Sequence, residues 1–222
     1  MKSNRKTTLQ MLLAALCLGA TGWSAFRIYR TEFAAPKFNL VLHQEIGRVL
    51  AEETAKLVNQ TGRVVVVAIE LRGVPELRAQ LEEFERVLHQ SPGITLEKSY
   101  KLDTDDKPKY SFGAGLSGRR LVRIISKNPH ADAIVSFIGA PSLSEAEIAQ
   151  LKRMPKFIAE TRSADKLKQL FDHNVLHAAV VSRFQFPTPI KGTPSSPRDW
   201  FDQRFQVVTA RNAGDLPSGR ED

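Results

Sequence analysis

Six side chains have types and placements suited to gripping a polar molecule: Glu70, Arg72, Ser142, Glu160, Thr161 and Arg183. Each ends an apolar run of strand length or stands in the short loop after one. In open α/β sheets, ligands sit just beyond the carboxyl ends of the strands. Carboxylates and guanidinium groups placed there make short, charge-assisted hydrogen bonds. The chemistry expected of such a set is binding, not bond breaking. A rim of solvated loop tips has the same composition, so the pattern sets a candidate site without a mechanism.

No arrangement for catalysis accompanies it. His173 and His177 are four residues apart, but an expected helix end falls between them, so they need not share a face. His43 and His89 fall on helices as surface or boundary residues. Neither a Gly-x-Ser-x-Gly elbow nor a His-Glu-x-x-His pair occurs. The single cysteine, Cys17, excludes an intrachain disulfide and a cysteine metal cluster. Asp103, Asp105 and Asp106 lack the glycine and distal glutamate of a calcium loop and read as a solvated turn. Gly113, Gly115 and Gly118 have the composition of a phosphate loop, but no Gly-Lys-Ser/Thr follows, and a flexible connection is expected. Enzyme activity, a cofactor and a metal are therefore not expected.

The elements that must position the six residues are led by Arg63-Val64-Val65-Val66-Val67-Ala68-Ile69. β-branched side chains suit a pleated strand. A strand with no polar side must be covered on both faces, the mark of a central strand in a parallel sheet between helices. An amphipathic helix is expected before it over residues 39–59, closing near Gly62, and another after it from Pro75 to Leu88. Further strands are expected over residues 95–100, 131–138, 156–160 and 177–182. Helices are expected between them over 119–127, from Ser144 with Glu147 completing a capping box, and over 163–174. This alternation predicts an α/β fold, a three-layer sandwich of about five largely parallel strands. Pro187, Pro189, Pro194 and Pro197 mark an extended crossing, and Gln206-Val207-Val208-Thr209 a short return onto the body.

A hydrophobic fraction of 42% and a charged fraction of 25% in 222 residues fit one globular domain with appendages. The net charge of +8 is concentrated at the amino end, where residues 1–37 carry +5 and leave +3 for the rest. With no aromatic-plus-basic motif or zinc-finger spacing, nucleic acid is not an expected partner. Residues 8–26 form an uncharged stretch of about nineteen residues, enough for a helix to span a ~30 Å hydrocarbon core. Basic residues precede it, which orients the remainder outward. A cleaved signal peptide and an uncleaved signal anchor both fit, and the anchor is favoured because Trp23 spoils the cleavage site after Ala20-Thr21-Gly22. The expected organisation is an anchor and transmembrane helix over 1–30, a spacer over 31–38, a single lobe over 39–212 and a disordered tail over 213–222.

Three local patterns then point to a family. They are Lys127-Asn128-Pro129-His130-Ala131-Asp132-Ala133-Ile134-Val135, the pair Ser163-Ala164-Asp165-Lys166-Leu167-Lys168-Gln169-Leu170 and His177-Ala178-Ala179-Val180-Val181, and Gln206-Val207-Val208-Thr209-Ala210-Arg211-Asn212. In this order and spacing, residues 62–186 and the closing segment resemble the second lobe of type 1 periplasmic binding proteins, the ribose-binding and related sugar-binding family. The resemblance implies a lobe that meets a sugar at its strand carboxyl ends. Only about 60 residues precede the valine strand, so a whole first lobe is expected to be absent. Ile138-Gly139-Ala140 replaces the Asn-Asp often found after the strand at 133–137, Glu160 and Thr161 stand near the usual Asp, and Arg183 replaces a frequent Gln.

The function expected from this is a membrane-anchored, extracytoplasmic, non-catalytic module for a sugar or other small polar ligand. A protein partner or a second copy would replace the absent lobe. The alternative is a structural or protein-interaction domain that has lost its ligand. The expected location is the cell membrane with the lobe on the periplasmic side, or the periplasm itself if the signal is cleaved.

Overall fold

A computed structural model describes residues 3–29, 38–69, 74–102, 115–149, 151, 153–161, 164, 167–183 and 194–216. The chain divides into two compact units, residues 1–38 and 39–222. The first holds helix α1 (Ser3–Ile28), which has no acidic residue in its first turn and Arg27 in its last. Its large apolar side chains Leu16, Leu18, Trp23, Phe26 and Ile28 are exposed. The expected helix is present, but the expected transmembrane span is not supported: among the described residues no helix is long and apolar enough to cross a membrane. Gly19, Thr21, Gly22 and Ser24 interrupt the apolar run in the carboxyl half, and the Thr21 hydroxyl donates to the Cys17 carbonyl at 2.8 Å.

The second unit runs α2 (Leu40–Leu57), β1 (Gly62–Ile69), α3 (Pro75–Leu88), β2 (Ile94–Leu102), β3 (Leu116–Ser117), α4 (Gly118–Lys127), β4 (Ala133–Ser136) and β5 (Pro141–Ser142). It continues with α5 (Glu145–Ala149), β6 (Lys156–Thr161), α6 (Leu167–Asp172), β7 (Ala178–Ser182), α7 (Pro197–Arg204) and β8 (Phe205–Thr209). The main sheet has six strands in the order β2-β1-β4-β6-β7-β8, and a separate two-stranded sheet pairs β3 with β5. Five strands of the main sheet are parallel, as the alternation predicted, and the expected short return is β8, antiparallel to β7.

The four valines of β1 are fully buried. Val64 and Val66 belong to a core with α2 and α3 residues such as Ile46, Leu50, Leu81 and Phe84. Val65 and Val67 belong to the opposite core with Leu121, Ile124, Leu167 and Phe171 of α4 and α6. Both faces of the strand are thus covered, and burial of each valine contributes roughly 1.5–3 kcal/mol. Phe84 of α3 meets Phe137 after β4 edge to face, with centroids 5.3 Å apart and rings at 85°.

Local chemistry sets the boundaries. The Asn39 side chain caps α2 by accepting from the Leu42 amide at 3.1 Å. Asn59 and Gln60, not Gly62, adopt the left-handed conformation after α2, with φ of 51° and 63°, while Gly62 already belongs to β1. Asn tolerates that region because its short polar side chain bonds locally. The Ser144–Glu147 capping box is present: the Glu147 carboxylate accepts from the Ser144 amide at 2.9 Å, and the Ser144 hydroxyl accepts from the Glu147 amide at 3.3 Å. Gly118, expected in a flexible connection, instead opens α4. Where a frayed tail was expected, Ala213–Asp215 forms a 3₁₀ turn held by burial of Ala213 in the α4–α6 core. The proline-rich crossing over 187–193, Gly113 and the acidic stretch 103–106 lie outside the described residues.

Helices α2 and α3 cross closely because Gly47 carries no side chain at the contact: a Cβ there would overlap the Gln80 carbonyl oxygen. Beside it the His43 Nδ1 and Gln80 Nε2 are hydrogen-bonded at 3.0 Å. At the amino end of the sheet, the Asp132 carboxylate accepts from the Arg63 amide at 2.8 Å while the Asp132 amide donates to the Arg63 carbonyl at 2.9 Å. His177 makes a similar pair with Phe157. Its amide donates to the Phe157 carbonyl at 2.9 Å and its Nδ1 accepts from the Phe157 amide at 3.2 Å.

Two outcomes are expected. Gly47→Ala forces the helices apart and destabilises the protein by about 1–3 kcal/mol, read as a lower urea midpoint. Burial, reinforced by the Lys156 charge, lowers the His177 pKa from 6.5 to about 4. Between those values the unfolded chain binds the proton and the native one does not, so stability is full above pH 6.5 and declines as pH falls through this window. A urea midpoint followed against pH should show that decline, and His177→Gln should remove its share.

Candidate functional site

The carboxyl ends of β4, β6 and β7 form the edge where the sheet can meet a ligand, and the backbone there is built around two glycines. Gly139, after β4, has φ of +109°, and a Cβ on it would lie 3.0 Å from the Gly115 Cα. Gly115 has φ of +66°, and a Cβ on it would overlap the Ala140 carbonyl oxygen. Two turns distant in sequence therefore touch backbone to backbone, and the Leu116 amide donates to the Ala140 carbonyl at 3.3 Å. Buried Ser136 holds the β4 turn: its hydroxyl donates to the Gly139 carbonyl at 2.7 Å and accepts from the Ile138 amide at 3.4 Å.

This crossing places β3 beside β5, with Ser117 and Ser142 as register partners, both exposed. Ser142 thus stands exposed beside Ser117 on the small second sheet. Next to it, the Glu147 carboxylate packs against Gly118, the first residue of α4. Hydrogen bonds from the Ser144 backbone and side chain hold this carboxyl below its ordinary pKa, and the Arg119 charge acts in the same direction. A carboxylate at a helix amino end is electrostatically favoured.

Strand alternation separates the next two candidates. Ile158 and Val180 face the α2–α3 core while Ala159 and Val181 face the α4–α6 core. Glu160, paired with Val180, therefore projects with the first set, and Thr161, paired with Val181, with the second. Glu160 is half-buried and Thr161 is buried. Ser182, one residue beyond Val181, returns to the Glu160 side and is also buried. Arg183 is half-buried and its Nε donates to the Phe205 carbonyl at 2.9 Å, tying the end of β7 to the start of β8. Glu70 and Arg72 lie outside the described residues.

The structure thus brings Glu160 and Ser182 to one side of the sheet edge, and Thr161, Ser136 and the Ser117–Ser142 rim to the other, with Arg183 tied to the start of β8. Ser117, Ser136 and Ser182 were not singled out from the sequence, and Glu147 only as the capping-box partner of Ser144. The signal for two of them was available: Ser136 and Ser182 each end an apolar strand run, Ala-Ile-Val-Ser and Ala-Ala-Val-Val-Ser. What the arrangement offers is hydroxyl and carboxylate groups for hydrogen bonding. Among the described residues no group of three His, Cys, Asp or Glu side chains is placed to hold a metal ion.

No protein-family model and no curated protein matches the chain. Solved structures do. An arabinose-binding protein from Geobacillus stearothermophilus matches with a TM-score of 0.55 at 17% identity, over 79% of this chain and 63% of that one. A solute-binding protein of an ABC transporter from Agrobacterium vitis, bound with alpha-D-tagatopyranose, matches with a TM-score of 0.54 at 14% identity, over 78% and 58%. A sugar-binding protein of an ABC transporter from Bacillus halodurans matches with a TM-score of 0.53 at 14% identity, over 78% and 64%. The chain spans less than two thirds of the length of these three proteins. Its α/β unit has the fold of a type 1 periplasmic-binding-protein lobe, as the order of its sequence patterns implied.

Proposed function

We propose that this chain is a non-catalytic solute-binding-like module that takes a sugar or another small polar ligand at the carboxyl edge of its sheet. The observation that carries the reading is the set of polar side chains, Ser136, Ser142, Glu160, Thr161 and Ser182, that end strands on both faces of that edge in a fold shared with an arabinose-binding protein and a protein bound with tagatopyranose. Sugar hydroxyls donate to carboxylates and accept from guanidinium groups and hydroxyls. In this proposal Glu160 and Thr161 contact the ligand, Ser142 lines the rim and Arg183 supplies N–H donors beyond the one used by the Phe205 carbonyl. The proposal extends to Glu70 and Arg72, which follow β1 in sequence and lie outside the described residues. A partner protein or a second copy supplies the opposing wall.

The same proposal assigns α1 to membrane attachment, with the α/β unit on the extracytoplasmic side of the cell membrane. Support comes from the exposed Leu16, Leu18, Trp23, Phe26 and Ile28 together with the basic residues that flank the helix in sequence. A second reading, a protein-interaction domain without ligand, is favoured by two observations: Arg183 is already engaged by Phe205, and Glu160 and Thr161 point to opposite faces.

Thermal unfolding against a panel of pentoses and hexoses separates the two. Binding raises the melting temperature, with a stabilisation of roughly 2.7 kcal/mol at a hundredfold excess over Kd, and Glu160→Gln and Thr161→Val should blunt that response. An unchanged melting temperature with every sugar, alongside a stoichiometric protein partner, would establish the second reading.

A further inference from the structure

The helices of the α/β unit treat their basic residues in two ways. On α2, Arg48 pairs with Glu45 and Glu52, and Lys56 with Glu53. On α3, Arg86 pairs with Glu83, on α6 Lys168 with Asp172, and on α7 Arg198 with Asp202. Helix α4 differs. Its sequence, Gly-Arg-Arg-Leu-Val-Arg-Ile-Ile-Ser-Lys, contains four basic residues and no acid. Leu121 and Ile124 are buried in the core beneath it, while Arg119, Arg123, Ser126 and Lys127 are exposed. Arg119, Arg123 and Lys127 are spaced four residues apart, a straight ridge of positive charge with a step of about 6 Å. None of the three forms an ion pair within 4 Å among the described residues, although Arg119 interacts electrostatically with the Glu147 carboxylate beside Gly118.

Helix stability does not account for this ridge. Arg119 and Arg120 stand in the first turn, where the helix dipole disfavours positive charge, a conflict that the Glu147 carboxylate beside Gly118 offsets only in part. Repeated like charges four residues apart disfavour the helix further. An external polyanion would explain both. The absence of any aromatic side chain from α4 removes the stacking platform that single-stranded nucleic acid uses. A planar array of phosphates, by contrast, suits a straight ridge with no base-reading groups.

We propose that the outer face of α4, through Arg119, Arg123 and Lys127, docks on the anionic phospholipid headgroups of a bilayer. This inference rests on the reading of α1 as the membrane attachment, because only residues 29–39 separate α1 from α2 in the chain and attachment would hold α4 at high local concentration near the lipid. Each basic residue near an anionic bilayer contributes about a fivefold gain in association, on the order of a hundredfold for three. The contact is screened by salt.

The test uses the full chain with Cys17→Ser and a fluorophore attached through Ser126→Cys on the exposed side of α4. It is mixed with phosphatidylcholine vesicles, with and without phosphatidylglycerol. Flotation reports attachment through α1, and shielding of the fluorophore from an aqueous quencher reports docking of α4. The expected result is flotation with both vesicles, but shielding only with phosphatidylglycerol and only at low salt. The triple variant Arg119→Gln, Arg123→Gln, Lys127→Gln should lower docking on the order of a hundredfold. A charge-matched control, Arg48→Gln, Arg86→Gln, Lys168→Gln, should dock like the parent. Both variants are checked by circular dichroism, and removal of Arg119 relieves the conflict with the helix dipole. Flotation with equal exposure of the fluorophore on both vesicles overturns the α4 inference and leaves the α1 reading intact. Flotation with neither vesicle overturns the α1 reading and the inference that rests on it. Shielding by a short RNA but not by phosphatidylglycerol also overturns the inference, in favour of nucleic acid.

Discussion

Burial of β1 on both faces is the constraint from which the rest of the α/β unit follows. Four successive valines cannot leave one side wet, so alternate members enter different cores and each core needs its own helices. Helices α2, α3 and α7 meet the first need, α4, α5 and α6 the second. The pairing of β1 with both β2 and β4 then leaves the strand no exposed ladder. Because interiors are packed as densely as organic crystals, this arrangement tolerates little change in spacing. The bare Gly47 contact with Gln80 shows how close α2 and α3 must come for their shared apolar face to close over Val64 and Val66.

The two ends of the sheet carry different chemistry as a result. At the amino end, polar groups are consumed by structure: Asp132 brackets Arg63, His177 brackets Phe157, and Arg153 lies 3.6 Å from the Asp132 carboxylate. At the carboxyl end, serines and a threonine close the strands, and the Gly115–Gly139 contact pulls a second small sheet over the rim. Glu45 shows what happens to charge inside the helical layer. It is buried on α2, and desolvation raises its pKa against the opposing pull of Arg48 and Arg198. Ionised groups are tolerated there when they have partners.

Much of this architecture could be read in the residues because local signals and burial agreed. The unbroken valine run, the periodic apolar positions of α2 and α3 and the Ser144–Glu147 box each named an element in the right place. The site was less legible for a physical reason. Whether Glu160 or Thr161 faces a given layer depends on the register of β6 against β7, which no single segment contains. The bond from Arg183 to the Phe205 carbonyl joins residues on either side of a long crossing. The Gly115–Gly139 contact likewise exists only once two separate turns meet, so both glycines read as ordinary loop residues in one dimension. The apolar stretch over residues 8–26 marked α1 as a helix, but its glycines and hydroxyls left its relation to a bilayer undecided by length.

The antiparallel strand β8 has a consequence for synthesis. Every residue of β7 is buried, and β8 supplies its last neighbour from residues 205–209, beyond the proline-rich crossing. While a nascent chain is still leaving the ribosome, the parallel strands and helices α2 to α6 emerge before β8, and one edge of β7 then presents a ladder of unpaired amides and carbonyls. In synthesis order the sheet is completed only when residues 205–209 have emerged, after its other five strands.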